Sequence, residues 1–189
     1  MIAFDAATDG YKGTTDINAL TYSHTCAPSA SLYVWLGVAS SRTATVTYGG
    51  QSMSLIGTET ETNNDVYYLY ELQTPASGAN NIVITPSGTT VLIANAASYT
   101  GVAKSPKTVH TVGANGAFVT SLTNTISISN PDSWMVSACG FQRAPTASTG
   151  SVLRKNSASH NLSIFDTNGV IGATGNRSMS YTFASVGTQ

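Results

Sequence analysis

The chain has 189 residues; eight are Lys or Arg and nine are Asp or Glu, 9% charged against roughly 25% in an ordinary soluble domain. A net charge of −1 with 41% apolar residues excludes the disordered class, and no apolar run approaches the ~18 residues of a membrane-spanning helix. The basic residues are scattered, at Lys12, Arg42, Lys104, Lys107, Arg143, Arg154, Lys155 and Arg177, which excludes the concentrated footprint that a phosphate backbone demands.

In chain order, residues 1–15 are turn-rich and read as an irregular N-terminal arm ahead of a single sandwich domain, 16–189. They lack the basic and apolar regions of a signal peptide, so folding is expected in a reducing cytosol. Residues 19–25 alternate, with Leu20, Tyr22 and His24 on one face. Residues 32–38 are apolar on both faces and predict a central buried strand. Residues 43–48 alternate again, with Ala44, Val46 and Tyr48 inward, and Gly49 and Gly50 then offer the positive φ of a hairpin turn. Met53, Leu55 and Ile56 begin the return, and 57–65 read as a polar loop. Strands follow at 66–72, 82–85 and 91–99, separated by turn clusters at 74–81 and 86–88. In the second half Phe118, Val119 and Leu122 lead into 125–129, followed by strands at 134–141, 152–153, 162–165 and 179–183. No segment repeats at helical spacing. About ten short strands at regular intervals predict an all-β, jelly-roll-like antiparallel sandwich. The two halves share a style that leaves a duplicated sandwich open.

A β-rich chain this poor in charge lacks the usual protection of its sheet edges and is expected to hide surface in an oligomer. Cys26 and Cys139 form no disulfide framework; they read as two buried thiols or one bridge between strands. Little in the sequence points to catalysis. His24, His110 and His160 accompany many serines, 51 residues being Ser or Thr, but the Gly-x-Ser-x-Gly elbow is absent. His24 and Cys26 share a strand face as a metal pair would, yet no second pair answers them; a hydrogen-bonded histidine beside a packed thiol fits better. The run from Asp166 to Gly169 begins like a calcium loop without its remaining acids, and reads as an Asx turn. The nine acids sit mostly in turn-like contexts, not as an opposed catalytic pair. The glycine pairs Gly113/Gly116 and Gly169/Gly172 lack the strand-to-helix setting of a phosphate cradle. Residues 101–110, with Lys104 and Lys107, read as a solvated loop. Because sides alternate along a strand, Tyr67 and Tyr68 cannot both face the core, and an exposed one offers a platform for a sugar ring. No catalytic, cofactor or metal-binding residue is therefore assigned.

Several stretches carry a resemblance. Val46-Thr-Tyr-Gly-Gly-Gln-Ser-Met-Ser-Leu55 precedes Val66-Tyr-Tyr-Leu-Tyr-Glu-Leu72, and Gly78-Ala-Asn-Asn-Ile-Val-Ile-Thr85 precedes Ala97-Ser-Tyr-Thr-Gly-Val102. Asp132-Ser-Trp-Met-Val-Ser-Ala138 and Phe165-Asp-Thr-Asn-Gly169 complete the set. Together they resemble β-sandwich virion proteins of tailed bacteriophages, both capsid decoration or cement proteins and fibre-type modules. The resemblance implies a non-enzymatic structural protein of the virion, folded in the host cytoplasm, self-associating as a trimer and docking on a major capsid or tail protein, without nucleic acid or membrane. The alternative it implies is a carbohydrate-binding fibre or tail-tip adhesin whose partner is a cell-surface glycan.

Overall fold

The computed structural model describes residues 1–10, 16–61, 64–104, 107–109, 111, 120–140, 145–147, 150–157 and 162–183. The described residues are all-β, and every strand pairing is antiparallel. Fifteen strands replace the expected ten: β1 Ala3–Asp9, β2 Leu20–Cys26, β3 Ser31–Val38, β4 Ala44–Tyr48, β5 Gln51–Ser52, β6 Ser54–Thr60, β7 Val66–Leu72, β8 Gly78–Pro86, β9 Leu92–Thr100, β10 Ser121–Ile128, β11 Val136–Gly140, β12 Pro145–Ala147, β13 Val152–Asn156, β14 Leu162–Asp166 and β15 Gly175–Phe183.

Eight of the first nine strands form one long ribbon doubled back on itself, and β6 adds to the outer side of β7. The ribbon's tip is Gly49-Gly50, whose φ angles of 54° and 81° give the twist that a two-residue hairpin needs. Moving outward from this tip, Tyr48 faces Gln51, Val38 faces Val66, Cys26 faces Gly78 and Ala3 faces Thr100. Wrapping the ribbon adds the lateral pairings β3–β9 and β4–β8. Two sheets result, β1-β9-β3-β7-β6 and β2-β8-β4-β5. The second half pairs by a similar nested scheme: β10 pairs with β15 and β11 with β14, then β12 joins β15 and β13 joins β14. Its sheets are β10-β15-β12 and β11-β14-β13.

Three buried clusters set the stacking of these sheets. Leu32, Val34, Leu36, Tyr48, Ile82, Ile84 and Leu92 fill the space between the first two. Phe165, Met179, Tyr181, Phe183 and Cys139 fill the space between the last two. Tyr33, Ala97, Tyr99 and Ile164, with Trp35, Leu69, Trp134 and Val136 against them, join β1-β9-β3-β7-β6 to β11-β14-β13. Four sheets therefore lie in series, and the inner two are covered on both faces. That double cover is why β3 and β14 are buried on both sides. The strands assigned to one sandwich over 16–189 are thus shared between two facing pairs of sheets.

Other expectations need correction. Residues 3–9 of the supposed arm form β1, an edge strand in register with β9. Its alanines and acids carry no apolar alternation; a partner about ninety residues away holds it extended. Residues 57–60 of the supposed polar loop belong to β6, where a bulge between Leu55 and Gly57 breaks the period. The strand expected at 82–85 runs from Gly78 to Pro86, taking in the second half of the turn cluster before it. Phe118, Val119, Lys12, His110, Arg143, His160, Gly113 and Gly116 lie outside the described residues.

Candidate functional surface

The polar groups inside the stack are engaged with one another. His24, on β2, is 1% exposed. Ser98 on β9 donates its hydroxyl to Asp5 Oδ2 at 2.7 Å, so His24 Nε2–H donates to Ser98 Oγ at 3.1 Å and Nδ1 accepts from Thr8 at 2.9 Å. Asp5 Oδ2 also accepts the Ala27 backbone N–H at 2.8 Å. A serine, a histidine and an aspartate do meet here, but the serine stands between the other two. In a nucleophile triad the histidine is central and takes the serine proton. Here Ser98 is fully enclosed, and the chain of bonds ties β1, β2 and β9 together. Burial lowers the His24 pKa to about 4, against the attraction of Asp5, and raises that of Cys26. Both cysteines are free and buried, in different clusters, and burial pushes Cys139 up to about 12.

Asp166 is fully buried where the inner sheets meet. Arg154 donates to it twice, Nε to Oδ2 at 2.6 Å and Nη2 to Oδ1 at 2.9 Å. The Tyr99 hydroxyl donates to Oδ2 at 3.0 Å, and the Asn168 N–H donates to Oδ1 at 2.8 Å, closing the expected Asx turn. Four bonds occupy the four acceptor positions of one carboxylate, leaving none to a cation. The Arg154 guanidinium also lies 4.3 Å from the Phe4 ring centroid. Phe4 and Tyr99 come from the first half and Arg154 and Asp166 from the second, so this cluster is a clamp between the halves. Burial, then the Asp166 charge, raises the Tyr99 pKa and keeps its proton in place.

Two lysines that follow β9 are tied to neighbouring strands. Lys104 donates to Ala30 O at 3.0 Å, to Ser31 Oγ at 2.9 Å and to the Gln73 carbonyl, capping the ends of β3 and β7. Lys107 stands 3.4 Å from Glu71, a 5%-exposed carboxylate that also accepts from Tyr33 at 3.0 Å and Gln73 at 3.2 Å. An open depression of about 540 Å³ adjoins this cluster, lined by Ser54, Ile56, Glu71, Leu72, Gln73, Thr74 and Lys107. Its carboxylate is already held by a phenol, an amide and an ammonium. Among the described residues no group of three His, Cys, Asp or Glu is placed to hold a metal ion.

The outward faces of the two outermost sheets are uncharged. On the sheet β10-β15-β12, alternation turns Ser121, Thr123, Thr125 and Ser127 out from β10, opposite Thr182, Ser180, Ser178 and Asn176 of β15. These are four polar rungs without an ion. The two central ones are closed by hydroxyl–hydroxyl bonds, Thr123 to Ser180 at 2.8 Å and Thr125 to Ser178 at 2.7 Å. At the other end of the stack, β2-β8-β4-β5 turns out Thr21, Ser23, Thr25, Thr45, Asn81 and Thr85, again without charge. Tyr67 is half-buried and Tyr68 buried; no described Tyr, Trp or Phe is exposed. Sequence reading missed the hydroxyl faces because it followed the inward residues of each alternating strand; the same alternation marks the outward set.

No family model, no curated protein and no solved structure matches the chain.

Proposed function

We propose that the protein is a non-enzymatic structural component of a tailed-phage virion, a capsid decoration or cement protein that self-associates and docks on the particle surface. The observation that carries this reading is the pair of outer sheet faces, wide, regular and free of ions. Covering such a face strips water from hydroxyls that find new partners at once, with no charge to desolvate. Dispersed contacts of this kind are weak singly and add up when many copies sit on a symmetric particle. The interior supports the same reading: buried carboxylates saturated by structural partners favour rigidity over chemistry. We further propose that the first half is a jelly roll with one additional strand. Its support is the interleaved order of the two sheets, the order a wrapped hairpin ribbon produces.

The test is co-sedimentation with particles of the virus that encodes the chain, followed by imaging. Added density on the head shell supports cementing, density at the tail end moves the assignment there, and no binding sinks the virion reading. The carbohydrate-binding alternative draws on the hydroxyl and amide rows alone, since the described surface offers no aromatic platform. Tight capture of one glycan on an array by the isolated protein favours it.

A further inference from the structure

Among the described residues the sheet edges are blunted in different ways, with one exception. β1 is bulged between Phe4 and Ala6, and its bonds to His24 and Ala27 close it over the β2 edge. β6 is bulged, and Val109 packs so closely over Gly57 that a Cβ there would lie 2.8 Å from it. β13 is bulged between Leu153 and Lys155 and carries two cations. β12 has three residues and begins with Pro145, β5 has two residues, and β11 has five. β10 has eight residues with no charge, proline or bulge, and its register with β15 is unbroken from Ser121 to Ile128. Among the described residues no strand pairs with its outer side. A long, regular, uncharged edge is a template for another strand.

The sequence of β10 identifies that strand. Residues 121–127 read Ser-Leu-Thr-Asn-Thr-Ile-Ser, a palindrome of side-chain types about Asn124. Antiparallel pairing of a strand with its own copy about a two-fold axis requires this: opposite residues share a face and must suit each other. Centred on Asn124, the pairing sets Thr123 against Thr125 of the copy and Ser121 against Ser127 on the outer face. Leu122 then meets Ile126 on the inner face. Hydroxyl pairs across strands are favourable, and they already join β10 to β15 here. A threonine hydroxyl can make more than one hydrogen bond, so a Thr123–Thr125 contact across the axis joins the Thr123–Ser180 and Thr125–Ser178 pairs of the two copies into one row. A centre at Thr125 instead faces Asn124 with Ile126, a poorer match.

We propose that β10 is a homodimerisation edge. Two copies of this chain pair β10 with β10, antiparallel and centred on Asn124, to make one six-stranded sheet with an uninterrupted hydroxyl face. This rests on the self-association in the proposed function, names its surface and partner, and puts a two-fold axis where the resemblance implies a trimer.

Sedimentation velocity of the full chain across a concentration series is the test, with thermal melts verifying that each variant folds. The wild type is expected to dimerise reversibly. Thr123→Lys/Thr125→Lys brings ammonium groups face to face and is expected to abolish the dimer, whereas Thr45→Lys/Thr47→Lys on the far sheet leaves it intact. Thr123→Glu/Thr125→Lys faces each carboxylate with an ammonium in this register alone and is expected to retain the dimer, more strongly at low salt. A wild type monomeric at every concentration overturns both the edge and the self-association. Oligomers unaffected by Thr123→Lys/Thr125→Lys overturn the edge and leave self-association standing. Loss of the dimer in both β10 variants overturns the register. Particle binding, read separately, bears on the virion assignment.

Discussion

Asp166 and His24 anchor the two buried polar clusters on which single substitutions can be read. The Asp166 carboxylate is fully buried and paired with Arg154 at 2.6 Å. Arg154→Met leaves that charge buried without its partner and is expected to cost about 3–5 kcal/mol, read as a shift of the urea midpoint. Arg154→Met/Asp166→Asn removes the stranded charge and is expected to recover part of the loss; an additive double variant would contradict the clamp. His24 is kept neutral. The unfolded chain binds its proton near pH 6.5 and the folded one only near 4, so between these values the unfolded state takes up more protons. Stability therefore falls as pH drops through that window, by roughly 3 kcal/mol in all. Urea melts at pH 7 and pH 4.5 check this, and His24→Gln, with no proton to bind, is expected to flatten the difference.

At the scale of elements, alternation made most strands legible. The strand expected at 66–72 coincides with β7, and Leu20, His24, Val46 and Tyr48 point inward. The elements missed have a common physical cause. β1 and β12 owe their conformation to distant partners, β9 and β15, and short or alanine-rich segments carry no pattern of their own. The hairpin tip is local, and its glycines announced it. Gly50 has φ 81° with nothing within 4 Å of a built Cβ, so Gly50→Ala meets backbone strain alone. The expected loss is about 1–2 kcal/mol, with Gly50→Asn losing less because asparagine tolerates this region. Equal losses for the two would show that the turn does not demand positive φ.

Over the whole molecule, the number of layers was the least legible property. A strand apolar on both faces signals a covered sheet but does not say what covers it; here each inner sheet is covered by the other. Polar contacts between the halves, such as Tyr99 with Asp166, join residues 67 positions apart and leave no mark on local spacing. Because the middle cluster and the clamp bind the halves, scanning calorimetry is expected to find one transition with equal calorimetric and van't Hoff enthalpies. Two resolved transitions would mean that the halves melt independently. Refolding is expected to be slow, since most pairings close long stretches of chain.

The concentric pairing that runs from Gly49-Gly50 out to Ala3 and Thr100 has an architectural corollary. Polypeptide enters and leaves this ribbon on adjacent strands, at one rim. The rim where the ribbon closes is thus also the place where it hands the chain on to the second half, so the widest rung of the ladder and the junction between the halves fall at the same end.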